Sequence, residues 1–158
     1  MIHLEDLDIS GIFEEMESLH EEFSAYPKQS LGHRSYLCEK VIEKRSGGKL
    51  KRLQDHPLGD FEIKEYPPSY LESKELKNAF RKNITPEIIV KNFHGKCLGK
   101  PPKTYDYLIV WDINSKMVGL FDQQYVYDRM VVKDAGVTVR LELHRAIETK
   151  SLNDITKL

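Results

Sequence analysis

The sequence predicts a single domain of the α/β (α+β) class, with a central mixed β-sheet flanked by helices. Two segments near the start carry apolar residues at helical spacing, and four later segments have the alternation or the apolar run of β-strands. The chain has 158 residues, of which 40% are hydrophobic and 31% charged. A chain of this length can bury about 68–70% of its unfolded surface around one core. We therefore take residues 1–158 as one domain, with an acidic helical segment at 1–30.

Both N-terminal segments are predicted to be helices. Residues 11–25 place their apolar side chains on one helical face and glutamates on the other, and Pro27 ends the pattern. A second helix is predicted over 33–45, and the Gly-Gly pair that follows it is typical of a helix end.

Three further helices are predicted from their start signals. A Ser-x-x-Glu capping box at Ser69 predicts a helix over roughly 70–81. A Thr-Pro pair at 85–86 favours a short helix that ends near residue 95. A capping pair that begins at Ser151 predicts a final short helix.

The strands are predicted from residue alternation and from one long apolar run. Residues 61–66 (FEIKEY) alternate with period two, and the basic segment 49–54 is a candidate for their neighbour in the sheet. Residues 105–113 (YDYLIVWDI) are the best candidate for a buried central strand, turned back into a hairpin with 117–122. Residues 136–144 (GVTVRLELH) alternate again.

The net charge of −1 conceals an uneven distribution along the chain. Residues 1–30 hold eight acids and one base, whereas residues 31–104 hold sixteen bases and nine acids. A basic middle third can meet a polyanion even when the whole chain is nearly neutral. A lysine-rich stretch in it is expected either to run along a phosphate backbone or to be a solubilising loop. Its lysines are Lys91, Lys96, Lys100 and Lys103.

Several function classes are disfavoured. No apolar run approaches the ~20 residues that cross a bilayer, and the N-terminus carries acids where a signal peptide carries Lys or Arg. Cys38 and Cys97 form no CxxC pair, which disfavours a disulfide framework or a zinc site. Without a Gly-rich phosphate loop, no nucleotide cofactor is expected. We expect a cytoplasmic protein without membrane contact.

The residues that carry chemistry lie around the strand at 61–66. Residues i and i+2 of a strand share a face, so Glu62 and Lys64 project side by side, and Asp55 lies just before the strand. Two carboxylates suit a Mg²⁺ ion, the Ile63 carbonyl is a candidate further ligand, and the lysine would orient a water or steady a phosphate. Asp60 is an alternative to Asp55 as the first ligand.

The Glu-x-Lys spacing alone is not specific, because it occurs four times in the chain. Only the first copy combines a predicted strand, an acidic turn before it and a Glu-bearing helix upstream. The four copies are Glu62/Lys64, Glu72/Lys74, Glu75/Lys77 and Glu148/Lys150.

The string Asp-x6-Glu-x-Lys, with an apolar residue on each side of the Glu, resembles the signature of the PD-(D/E)XK nuclease superfamily. Within it, the string is similar to the MutH-type mismatch-repair nicking endonucleases and to type II restriction enzymes. The resemblance implies a restriction-endonuclease-like core over 33–112, with Mg²⁺ bound by Asp55 and Glu62 and with Lys64 as the catalytic lysine. It also implies a Glu on the preceding helix, either Glu39 or Glu43. A basic residue before the later core strand is implied too, for which Lys100 and Lys103 are candidates.

The sequence therefore predicts a Mg²⁺-dependent endonuclease that cuts double-stranded DNA, of the restriction type and acting as a homodimer. Asp55, Glu62 and Lys64 are its expected catalytic residues, with Glu39 and Ile63 as further metal ligands. Lys96, Lys100 and Lys103 are its expected DNA contacts. A non-catalytic α/β domain that binds a protein partner, of the immunity or adaptor type, is the alternative, as is a nuclease fold without activity.

Overall fold

The computed structural model describes residues 1–24, 31–94, 99–134 and 136–152. The α-helices within these residues are α1 (Ile12–Ser24), α2 (Leu31–Lys44) and α3 (Gln123–Arg129). The strands within them are β1 (Leu50–Arg52), β2 (Phe61–Ile63), β3 (Ser69–Leu76), β4 (Phe80–Arg81), β5 (Glu87–Val90), β6 (Tyr107–Asp112), β7 (Met117–Asp122), β8 (Met130–Lys133), β9 (Gly136–Glu142) and β10 (Glu148–Ser151).

The strands form two sheets. The larger has six strands in the order β1-β2-β3-β6-β7-β10, and the smaller has four in the order β4-β5-β9-β8. Strands β3 and β6 pair in parallel, with Leu71 opposite Tyr107, and the other pairs in both sheets are antiparallel. The predicted mixed sheet is therefore confirmed.

The six-stranded sheet is covered on both faces, and the side chains of β6 point alternately into the two apolar clusters. Ile109 and Trp111 of β6 belong to the apolar cluster shared with α1 and α2, where Trp111 meets the Phe13 ring edge-on at 5.8 Å. Leu108 and Val110 point the other way, into a cluster formed with β5, β9 and α3. Alternate residues of one strand thus serve two cores. The larger helices flank one face of the sheet, and the four-stranded sheet with α3 flanks the other.

Most of the predicted elements are present in the structure. The helices predicted over 11–25 and 33–45 correspond to α1 and α2, and the buried strand with its hairpin corresponds to β6 and β7. The last alternating segment corresponds to β9. The basic segment before residue 61 is the neighbour of β2, because Arg52 of β1 pairs with Phe61.

Two helix predictions are wrong in the described residues, and a third falls mostly outside them. The segment predicted as a helix over 70–81 contains β3, which has Leu71 and Ser73 buried and is held between β2 and β6. Residues 87–90 form β5, and all four are buried, as suits its β-branched residues. Ser151 ends β10, and the rest of the final predicted helix lies outside the described residues. No helix within the described ranges is long and apolar enough to cross a membrane.

Candidate active site at the free edge of β3

Strand β3 extends past its neighbour β2, and this leaves part of one edge unpaired. The register places Phe61 of β2 opposite Leu71, so β2 pairs only with the first residues of β3. The backbone N–H of Asp60 donates to the Leu71 carbonyl at 3.0 Å, which is the last backbone bond on that side. Beyond it, the Ser73 N–H donates to Oδ2 of Asp60 at 2.9 Å. The Asp60 carboxylate therefore takes the place of a strand at this edge.

Glycine at position 59 allows the chain to reach this place. Gly59 has a φ of 154°, and a Cβ there would lie 3.1 Å from the Leu71 carbonyl oxygen. Only glycine combines this backbone conformation with so close an approach. The conformation of Gly59 thus sets Asp60 against the edge of β3.

A cavity of about 270 Å³ opens at this edge, between α2 and the end of β5. Asp60, Ser73, Lys74 and Glu75 line it from the sheet, and Glu39 lines it from α2. Glu72 is not a lining residue, but it lies next to Ser73 on β3, and the charge of Asp60 acts on its carboxyl group. We call Glu39, Asp60, Glu72 and Glu75 the carboxylate cluster.

Burial and mutual repulsion disfavour the ionised forms of the glutamates in this cluster. Desolvation, a hydrogen bond to Asp60 and the Asp60 charge raise the pKa of Glu72. Burial, followed by the charges of Glu39 and Asp60, raises the pKa of Glu75 to about 8. Glu75 Oε1 is buried and has no hydrogen-bond partner among the described residues. Like charges gathered in a desolvated cleft are typical of functional sites.

Glu39 is the member of the cluster that the helix contributes. Its side chain is buried, with 9% of the residue exposed, and its Oε1 accepts from Nε of Arg52 at 3.0 Å. Burial and the charge of Asp60 raise the pKa of Glu39 to about 7, even though Arg52 opposes the shift. Glu43, its alternative, is occupied elsewhere, because Oε2 of Glu43 accepts from the Arg52 backbone N–H at 2.6 Å.

Lys74 provides positive charge at the cluster. Its ammonium group lies over the Phe93 ring, 5.5 Å from the centroid, and its charge favours the ionised forms of Glu39, Glu72 and Glu75. Lys74 and Glu72 are two residues apart on β3 and so share a face. The free edge of β3 thus brings together Asp60 from the loop before β2, Glu72, Lys74 and Glu75 from β3, and Glu39 from α2.

The donor set of this cluster fits a hard divalent cation. Mg²⁺ is typically held by one or two carboxylates and keeps several waters, and Asp60 and Glu72 supply such a pair. The described residues do not include three or more His, Cys, Asp or Glu side chains already arranged as a metal-binding group. Two oxygen ligands from the pair are sufficient for a water-rich Mg²⁺ site.

The three predicted catalytic residues, Asp55, Glu62 and Lys64, are not among the residues that line this cavity. Asp55 is an exposed residue of the loop after β1, with a φ of 48°. Glu62 is half-buried on β2, in register with Lys51 and Tyr70. Lys64 is exposed, and its backbone N–H donates to the Lys49 carbonyl at 2.9 Å.

These residues do not line the cavity with Glu39. The Ile63 side chain is buried in the helix-side core, and its carbonyl accepts from the Glu65 N–H at 2.9 Å. A role for Asp55, Glu62, Lys64 and Ile63 in catalysis stays a prediction. Of the predicted site residues, Glu39 is the one that lies in the carboxylate cluster.

The predicted DNA-contacting lysines lie elsewhere. Lys100 and Lys103 both place their ammonium groups 4.7 Å from the Tyr127 ring centroid, beside α3. Lys96 lies outside the described residues.

The sequence also contains a strand pattern around the second Glu-x-Lys pair, Glu72/Lys74, but the capping box at Ser69 competes with it. Leu71 and Ser73 alternate with Tyr70, Glu72 and Lys74, which is a strand period. The polar residues at 72, 74 and 75 weakened this alternation. Strand length and register, which decide that β3 extends past β2, have no local sequence signal.

Compared with known proteins, the chain matches no family model, no curated protein and no solved structure.

Proposed function

We propose that this protein is a Mg²⁺-dependent DNA endonuclease whose active site is Asp60, Glu72 and Lys74, with Glu39 behind them. The observation that carries the proposal is the meeting of Asp60 with the Glu72-Ser73-Lys74 edge of β3. This is the Asp, Glu-x-Lys and helix-Glu set of the PD-(D/E)XK resemblance, displaced by ten residues for the Glu-x-Lys pair. The order helix α2, hairpin β2–β3 and later strand β6 supports a restriction-endonuclease-like core.

Each side chain has a distinct part in the proposed reaction. The Ser73 N–H fixes Asp60, so the first carboxylate is held against the strand that carries the second. Arg52 holds Glu39 at 3.0 Å and keeps it at the cavity wall. The Lys74 ammonium orients an attacking water or steadies a phosphate oxygen. Mg²⁺, when bound, acidifies a water and offsets charge on the phosphodiester.

The chain offers a matched pair of lysines to test this assignment. We expect Lys74→Ala to lose cleavage of supercoiled plasmid by about 10²–10³-fold, the usual cost of removing one group that stabilises charge in the transition state. Lys64→Ala, which removes the lysine of the other Glu-x-Lys pair, is expected to cut at the wild-type rate. Nicked and linear products are measured in Mg²⁺ and in EDTA, on plasmid and on a large mixed-sequence genome.

The result separates three readings. Loss in Lys64→Ala with activity kept in Lys74→Ala would return the site to Asp55 and Glu62. Loss in neither, with metal-dependent cutting retained, would remove both lysines from catalysis. Uncut DNA of every kind would favour the alternative, a domain that binds a protein partner.

The proposed restriction-type activity also requires two active sites for one duplex. One site cuts one strand, and a two-fold dimer brings two sites to a palindromic target. Linear product formed without accumulation of nicked circles, together with a dimer mass in solution, is the expected result. A monomer that accumulates nicked circles would make the protein a nicking enzyme.

A further inference from the structure

A second groove adjoins the cavity of the carboxylate cluster, and it is lined by cations without acids, whereas the cavity is lined by both. It has a volume of about 290 Å³ and shares Leu76 and Lys91 with that cavity. We call it the basic groove, and its lining residues are Leu76, Lys77, Asn78, Arg81, Ile89 and Lys91. Three of these residues are cationic and none is acidic.

The cations of the basic groove are not neutralised by neighbouring side chains. Lys77 and Lys91 are exposed, and Arg81 is half-buried. In the described part of the chain, none of the three has a carboxylate oxygen within 4.0 Å, whereas Arg45, Arg52 and other cations do form such ion pairs. Uncompensated positive charge in a groove attracts and retains anions.

The backbone around the groove holds these groups in place. Arg81 Nη1 donates to the carbonyls of Asn78 and Phe80, at 3.0 Å each, which fixes the guanidinium at the rim. The Ile89 N–H donates to the Ala79 carbonyl at 2.8 Å, which ties the turn after β3 to β5. The Ile89 side chain is buried and, with Leu76, supplies an apolar wall between the cations.

We infer that the basic groove binds the phosphate backbone of the DNA strand next to the phosphate held in the active site. Lys77, Arg81 and Lys91 contact phosphate oxygens, while Leu76 and Ile89 pack against the apolar edge of a sugar. The inference rests on the proposed function, because it takes the carboxylate cluster as the place of cleavage. An enzyme that cuts a polyanion needs carboxylates to hold its metal ion and cations to hold the neighbouring phosphates.

The test measures binding separately from cleavage. Binding of a fluorescent 30-base-pair duplex is followed by anisotropy in EDTA between 50 and 200 mM salt, for wild type and for the Lys77→Ala/Arg81→Ala variant. Removing two phosphate contacts is expected to lower the slope of log K against log salt by about 1.8 and to weaken binding about tenfold or more at 100 mM salt. The matched control is Lys44→Ala/Lys49→Ala, which removes two exposed cations that line neither the cavity nor the basic groove and is expected to bind as wild type does.

Every outcome decides the inference. A groove variant that binds like wild type, or a control that loses as much as the groove variant, overturns it, as does wild type that does not bind duplex at 50 mM salt. If Lys77→Ala/Arg81→Ala does not fold, Lys77→Gln/Lys91→Gln replaces two exposed residues and gives the same reading. Wild type that binds through the groove without ever cutting would keep the groove as a phosphate-binding site and reject the proposed function. If the groove variant binds DNA as wild type does and keeps metal-dependent cutting, the proposed function stands and the inference about the groove is rejected.

Discussion

The two Glu-x-Lys pairs on neighbouring strands have the same local pattern and different surroundings. Glu62 and Lys64 belong to β2 and its end, and β2 is paired on both sides, with β1 and β3. Glu72 and Lys74 belong to β3, at the part that continues past β2. The spacing of i and i+2 sets two side chains on one face in both cases.

The difference lies in what stands opposite each pair. The unpaired edge of β3 leaves room for a side chain from the loop before β2. Asp60 of that loop occupies it and accepts a hydrogen bond from the Ser73 N–H. Helix α2 adds Glu39 from one side of the sheet. Strand register therefore decides which of two identical Glu-x-Lys spacings meets further polar side chains.

The largest expected effect separates the two candidate aspartates. Asp60→Asn keeps the shape of the side chain, so its hydrogen bond from Ser73 can persist, but it removes the charge that a metal ion requires. We expect Mg²⁺-dependent cleavage to fall by about 10³-fold, or about 4 kcal/mol in activation free energy. Asp55→Asn, in an exposed loop, is expected to stay within about threefold of wild type. The measurement is the initial cleavage rate as a function of Mg²⁺ concentration, and a large loss in Asp55→Asn alone would reverse the comparison.

How far the sequence could predict this arrangement depends on the range of the signal. Helices α1 and α2 and strands β6, β7 and β9 were predicted because apolar periodicity is local. The sequence of strand β3 favours a helix because Ser69 and Glu72 imitate a capping box, and because one of its buried residues is a serine, Ser73. Ser73 is buried, with 3% of the residue exposed, and its Oγ accepts a hydrogen bond from Trp111 Nε1 at 3.2 Å. No local sequence pattern indicates this bond.

The sequence predicts Glu39 and offers Asp60 as an alternative to Asp55, but among the four Glu-x-Lys pairs it favours Glu62/Lys64 over Glu72/Lys74. Choosing among them requires the register of β2 against β3 and the depth of the loop that ends at Gly59. Both are long-range properties, and local conflicts of this kind are expected where side chains serve a site.

The next effect tests how the cluster is supported from β1. Arg52→Ala leaves the buried Glu39 carboxylate without its partner, where both side chains are largely buried (15% and 12% exposed). We expect the free energy of unfolding at pH 8 to fall by about 3 kcal/mol, the lower end for breaking a buried pair. Adding Glu39→Gln should recover part of that loss, because the unpaired charge is gone.

A surface pair provides the control for that measurement. Lys49 pairs with Asp6 at 3.0 Å and is mostly exposed, so Lys49→Ala is expected to cost less than about 1 kcal/mol. Urea denaturation of the variants measures these differences. Equal losses in Arg52→Ala and Lys49→Ala would show that Glu39 is not held as a buried charge.

A third prediction contrasts the cluster with the helix layer through pH. His20 is buried on α1, and burial, followed by the charges of Arg34 and Lys77, lowers its pKa from 6.5 to about 4. The unfolded state therefore takes up a proton between pH 6.5 and 4 that the folded state refuses, so stability is lost as pH falls through this range. The carboxylates respond in the opposite direction, since the raised pKa of Glu39, about 7, costs stability as pH rises above 4.5.

The comparison of wild type with His20→Leu isolates the histidine. Its contribution should differ by about 2 kcal/mol between pH 7 and pH 5, with wild type losing stability relative to the variant on acidification. Unfolding free energies at the two pH values give the difference directly. A gap between the two proteins that does not change with pH would mean that His20 has the same pKa in the folded and unfolded states.

The last comparison is between Glu72 and Glu62. The sign of the change in stability that each Gln variant shows depends on whether Mg²⁺ is present. Burial and the neighbouring Asp60 charge raise the pKa of Glu72, so neutral Gln at this position relieves repulsion. Without metal we expect Glu72→Gln to be more stable than wild type by about 1 kcal/mol and Glu62→Gln to be unchanged. With Mg²⁺ at a hundredfold its dissociation constant, wild type and Glu62→Gln should gain about 2.7 kcal/mol, whereas Glu72→Gln should gain little. Thermal unfolding with and without Mg²⁺ measures both signs, and a Mg²⁺ gain lost in Glu62→Gln and kept in Glu72→Gln would move the metal from β3 to β2.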